Sequence, residues 1–113
     1  MKWFIPDCFW PVVDQGDYVS HEAICILNTN DRPADVSLTL YFEDRDELGG
    51  FRVEVGARRT LHIRMDHLEG DRGQRVPRGI PYAVVVECPD PITVQYTRVD
   101  TTQPALTIAT TIV

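Results

Sequence analysis

The chain has 113 residues, 43% of them hydrophobic and 25% charged, and a formal net charge of −6. That length fits one domain, residues 1 to 113, with a core large enough to fold alone. The acidic balance excludes a general nucleic-acid binder, whose phosphate contacts need a surplus of Lys and Arg. Residues 1 to 19 hold Pro6, Pro11 and the aromatics Trp3, Phe4, Phe9, Trp10 and Tyr18. They read as an N-terminal strand and arm packed on the core, with an aromatic platform for a ligand ring or sugar as the alternative. Pro6 and Asp7 interrupt this stretch too early for a signal peptide, and no apolar run approaches the ~20 residues that cross a bilayer.

Ser20-His21-Glu22 leads into Ala23-Ile24-Cys25-Ile26-Leu27, which is apolar on both faces and ends at Asn28. Such a strand is either central and covered on two sides or lies at a subunit contact. Turn-forming residues 28 to 33 follow. Val36, Leu38, Leu40 and Phe42 then alternate with polar residues, as in a strand with one buried face. Phe51, Val53 and Val55 repeat the pattern after a turn at residues 44 to 50. The expected interior also takes in Leu27, Leu61, Ile63, Val84, Val86 and Val94.

In residues 57 to 65, Leu61, Ile63 and Met65 fall on one face and Arg58, Thr60, His62 and Arg64 on the other. Three basic or imidazole side chains with no acid make this face unusual in an acidic chain. It reads either as a solvated face whose cations pair with neighbouring acids, or as a surface binding anions or hydroxyl groups. Arg59 shares the parity of Leu61 and Ile63. An inward arginine needs an acid or a subunit boundary, and Glu22 and Asp100 are the candidates.

Residues 66 to 81 form a polar connection with three glycines and two prolines, long enough to be functional or mobile and placed to cover the arginine strand. Residues 82 to 88, 92 to 99 and 105 to 113 complete the strand-like runs. No stretch has helical periodicity. Seven to eight short strands separated by turns predict an all-β, antiparallel β-sandwich.

Cys8, Cys25 and Cys88 are odd in number and have no metal or redox spacing, so a reducing, cytoplasmic setting is expected. His21, His62 and His67 lack the spacing of a zinc motif, and no nucleophile or nucleotide motif is present. No metal or cofactor is expected. Neither is an enzyme. The candidate ligand-binding residues are Arg58, His62, Arg64, Gln95 and Arg98. Those expected in structural ion pairs or an interface are His21, Glu22, Asn28, Arg59 and Asp100.

Four ordered blocks carry a resemblance: Ser20-His21-Glu22 with Cys25-Ile26-Leu27-Asn28; Tyr41-Phe42-Glu43-Asp44-Arg45; residues 57 to 64; and residues 91 to 100. Together they are similar to the sensory rhodopsin transducer family over about residues 20 to 112. The arm around Cys8, Phe9 and Trp10 matches loosely, Asp46-Glu47 stands where a proline is expected, and the sequence stops at Val113, before the family's usual C-terminal extension. The resemblance implies a jelly-roll-like sandwich, a homotetramer, a cytoplasmic location and a role in binding or signalling without catalysis. It implies a small-molecule, sugar-like ligand and signal transduction through the oligomer. The alternative it implies is an interaction module that docks a membrane-embedded sensory rhodopsin or another acidic partner; a carbohydrate-active enzyme is the third reading.

Overall fold

The structure is a computed structural model that describes residues 1–12, 19–101 and 107–113. Eight strands and no helix occur among these residues: β1 Lys2–Cys8, β2 His21–Asn28, β3 Ala34–Phe42, β4 Leu48–Val55, β5 Arg59–Arg64, β6 Tyr82–Glu87, β7 Thr93–Asp100 and β8 Thr107–Ile112. They form two four-stranded antiparallel sheets, β1-β6-β3-β4 and β5-β2-β7-β8. Most neighbours are distant in sequence, the interleaving of a jelly-roll-like sandwich. Tyr18 and residues 105 and 106 of the expected last strand lie outside the described residues.

The period-two pattern produces the core directly, because alternate side chains of each strand point between the sheets. Val36, Leu38, Leu40, Phe51, Val84 and Val86 face inward from one sheet and Ile24, Ile26, Ile63 and Val94 from the other, all buried. Phe42, Val53 and Leu61 are half-buried against them. Leu27 is the correction: it is 45% exposed, and the inner face of β2 belongs to Glu22, Ile24, Ile26 and Asn28. Both faces of this strand are apolar at its centre, so hydrophobicity could not choose between them. The choice follows from the strand ends, where each polar residue finds partners inside.

Asn28 closes one end of the sandwich. Its amide donates to the carbonyls of Arg32 (2.9 Å), Val55 (3.1 Å) and Gly56 (3.1 Å), and its carbonyl accepts from the backbone and side chain of Asn30. Asn30 in turn donates to Pro91 O. One fully buried side chain thus cross-links three turns.

Residues 66 to 81 close the other end. The preceding Met65 ties to the end of β2; the segment itself is tied to β4 and to the arm, and its Asp66 holds Arg64 of the arginine strand. Met65 N–H donates to Glu22 O (2.9 Å), Asp71 N–H to Gly50 O (2.9 Å), Gln74 to Gly49 O (2.7 Å) and Gly79 N–H to Trp10 O (2.7 Å). Leu68 and Val76 are buried beneath. Gly50 has φ +83, and a Cβ there would lie 2.5 Å from Asp71 Oδ1, so both its backbone and its contact with this connection require glycine.

Candidate functional site

β1 is an edge strand whose register shifts between Ile5 and Cys8. Pro6 lacks a donor for the ladder, and the extra residue makes a bulge, as edge strands tolerate. Ile5 and Cys8 both stay inside, while Asp7 projects toward the second sheet. There Arg98 Nη2 donates to Asp7 O and Oδ1, each at 3.3 Å, and Arg98 Nε to the Tyr96 hydroxyl at 3.4 Å.

Behind this contact lies a polar part of the interior. Glu22 is 1% exposed. The hydroxyls of Tyr82 and Tyr96 donate to its two carboxylate oxygens, and Phe9 N–H donates to Oε1 at 2.5 Å. A buried carboxylate is costly unless its lone pairs are filled; here three donors from three segments fill them. Tyr82 comes from one sheet, Glu22 and Tyr96 from the other, and Phe9 from the arm. Burial first, then the neighbouring Glu22 charge, pushes both phenols well above their ordinary range, so both remain donors. The same two causes push the Cys8 thiol up to about 12. Burial works against the Arg98 charge, but Tyr96 and Asp7 outweigh it and hold the guanidinium protonated.

A cleft of about 290 Å³ opens onto this array, with Ile5 and Pro6 as apolar walls and Asp7, Tyr96, Arg98 and Thr111 as polar groups. Arg98 supplies donors and Asp7 acceptors beside an apolar wall, a combination suited to a small polyhydroxylated or carboxylated molecule.

The expected site residues are divided among three places. His62 and Gln95 flank Cys25 in one cross-strand row on the outer face of the second sheet and border a cleft of about 250 Å³ with Thr60 and Thr93. Arg64 lies on that face, opposite Ala23. Its guanidinium donates to both Asp66 oxygens, at 2.8 and 2.7 Å. Burial works against the Asp66 charge, yet Arg64 holds the carboxyl below its ordinary value. Arg58 is not in the strand: it occupies the preceding turn at φ 54 and donates to Asp31 at 2.8 and 2.5 Å. Arg98, two residues beyond Tyr96, belongs to the cleft between the sheets, on the face opposite Gln95.

Of the residues expected in ion pairs or an interface, Arg59 departs most. It is exposed and donates to Ala57 O and Arg58 O, contacting neither Glu22 nor Asp100. It opens its strand at the sheet's end, where inward parity no longer means burial. His21 Nδ1 lies 2.9 Å from Val19 O, and Asp100 pairs in register with Thr107. Among the described residues no three His, Cys, Asp or Glu side chains stand together as a metal group. Tyr82 and Tyr96 were not foreseen as site residues. The available signal was Glu22 itself, an acid sharing the parity of Ile24 and Ile26.

The family model of the Anabaena sensory rhodopsin transducer matches residues 1–113. Among solved structures, the crystal structure of Thermotoga maritima 1070 is 36% identical with a TM-score of 0.86, covering 98% of this chain and 90% of that one. A structure of the Anabaena sensory rhodopsin transducer is likewise 36% identical, with a TM-score of 0.77, covering 88% of this chain and 87% of that one. No curated protein matches the chain.

Proposed function

The chain belongs to the Anabaena sensory rhodopsin transducer family, and from that premise we propose that it is a non-enzymatic signal-transducing β-sandwich that responds to a small, sugar-like molecule. The observation that carries the ligand reading is the cleft at Arg98, backed by the buried Glu22. Arg98 offers a planar fork for vicinal hydroxyls or a carboxylate, Asp7 accepts from hydroxyls, and Ile5 and Pro6 supply the apolar wall. A ligand that takes Asp7's place on Arg98 also meets the hydroxyl of Tyr96, and through it Glu22 and Tyr82 on the facing sheet. Occupancy is thereby linked to the contact between the two sheets.

The readout is a homo-oligomer, a tetramer on the family's pattern, formed on the outer face of the second sheet. Supporting this is that face's low charge: Ala23, Cys25, Leu27, Ile108 and Ile112 point outward beside threonines, and Leu27, Ile108 and Ile112 are 45%, 60% and 72% exposed. His62 and Gln95 fall within this contact, and Arg64 at its margin. The three free cysteines suit a cytoplasmic location, and a membrane-embedded sensory rhodopsin is the partner to which the family name points.

Titration calorimetry with a panel of monosaccharides and sugar acids tests the ligand reading. At least one should bind the wild type and bind Arg98→Ala at least tenfold more weakly, with Arg52→Ala unchanged. Binding that survives Arg98→Ala with its affinity intact would remove the site.

A further inference from the structure

On the outer face of the first sheet and at the strand ends beside it, a second pair of clefts has a different chemistry. One, of about 270 Å³, is lined by Tyr41, Phe42 and Tyr82 together with the carboxylates of Asp7 and Glu43. The other, of about 350 Å³, is almost wholly apolar and runs over Phe4 and Val85. They are continuous, because both include Pro6, Tyr41 and Ala83. Phe4 is 62% and Tyr41 46% exposed.

Aromatic faces beside carboxylates form a receptor for an organic cation, which ring quadrupoles and negative charge both attract. The molecule already shows the preference: the Arg45 guanidinium lies 5.6 Å from the centre of the Phe42 ring. Residues 43 to 47 read Glu-Asp-Arg-Asp-Glu, and the one cation among them is paired with Asp44. Lys2, at the far end of β1, is paired with Glu87. The arginines on which an acidic partner would dock hold Asp31, Asp66 and Asp7.

We propose that this continuous groove is a docking site for a basic segment of a partner protein: a Lys or Arg side chain seats on Glu43 against Tyr41, and an apolar neighbour lies over Phe4 and Val85. The sign of the charge selects a protein segment over an anionic membrane surface, which the acids would repel. The cytoplasmic loops of helical membrane proteins are rich in such Lys and Arg residues. The groove shares only Asp7, Pro6 and Ile5 with the Arg98 cleft. Tyr41 and Glu43 belong to the groove alone.

The test is fluorescence anisotropy with a labelled peptide of alternating lysine and leucine, and a matched peptide with glutamate for lysine. The lysine peptide should bind, lose affinity as salt is raised, and bind Tyr41→Ala and Glu43→Gln about tenfold more weakly. Ile108→Ser, on the other sheet, should bind it as wild type does. The glutamate peptide and vesicles of anionic phospholipid should not bind. The proposal is overturned if the lysine peptide fails to bind, if Tyr41→Ala and Glu43→Gln leave binding unchanged, or if Ile108→Ser weakens it equally. Vesicle binding, or a change in sedimentation of Tyr41→Ala, would also overturn it, assigning the face to a membrane or to a second copy. Loss of sugar binding in Arg98→Ala is a separate readout, so either reading can fail alone.

Discussion

Replacing Tyr82 with Phe removes one hydroxyl from a buried carboxylate and changes almost nothing else. Tyr82 is 4% exposed and its ring packs 6.5 Å from that of Phe42, so Phe keeps the packing and deletes only the donor to Glu22 Oε2. Phe9 N–H and the Tyr96 hydroxyl both serve Oε1, which leaves Oε2 without the donor it now has. A hydrogen bond to a buried charged group is worth about 1.5–3 kcal/mol. For a domain of this size that is a fall in Tm of roughly 6–15 °C. Tyr41→Phe, which removes a half-exposed hydroxyl, is the control and should move stability by less than about 0.5 kcal/mol. Differential scanning calorimetry at one fixed protomer concentration makes the comparison, since an oligomer's Tm depends on concentration. A double-mutant cycle with Glu22→Gln should return a coupling above about 1 kcal/mol. A Tyr82→Phe protein as stable as wild type, or a coupling near zero, would refute the claim that Glu22 joins the two sheets.

Three other outcomes follow from particular contacts. Asn28→Ala should cost about 2–4 kcal/mol in denaturant unfolding, because three carbonyls and the groups of Asn30 lose a buried partner together. The Asp66 carboxyl is held below its ordinary value near 3.8, so its contribution is complete above that value and lost as pH falls through the lower, folded one. An acid-unfolding curve of Asp66→Asn should therefore lack a stabilising component that wild type shows above pH 4; Arg64 is partly exposed, which keeps the effect small. Because burial and Glu22 raise the Cys8 thiol to about 12, its thiolate fraction at pH 9 is about a thousandfold below that of an ionised thiol. Alkylation followed by mass spectrometry should find Cys8 unmodified until the protein is unfolded.

Strand positions were legible because most of them alternate cleanly. Val36, Leu38 and Leu40 read the same in sequence and in space, as do Ile63, Val84 and Val94. Parity in β2 was not legible, because Ala23, Cys25 and Leu27 are as apolar as Ile24 and Ile26, and a one-residue choice sends each side chain to the opposite face. The arginine strand was legible as a donor-rich face but not as a set of filled pairs. Asp66 lies two residues from Arg64, but Asp31 reaches Arg58 only because two distant turns meet. The same holds for Glu22. Its tyrosine partners lie 60 and 74 residues further along; the β2-β7 pairing brings Tyr96 to it, and the packing of the two sheets brings Tyr82.

The most direct test of a ligand-responsive transducer is amide and arginine side-chain NMR of the wild-type protein titrated with the sugar or sugar acid that calorimetry selects. The account predicts shifts that begin at Asp7, Tyr96 and Arg98 and extend across the sandwich to Glu22 and Tyr82, with none of them in Arg98→Ala. Shifts confined to Thr60, His62, Thr93 and Gln95, with Arg98 and Glu22 unmoved, would put the ligand on the outer face of the second sheet and contradict it.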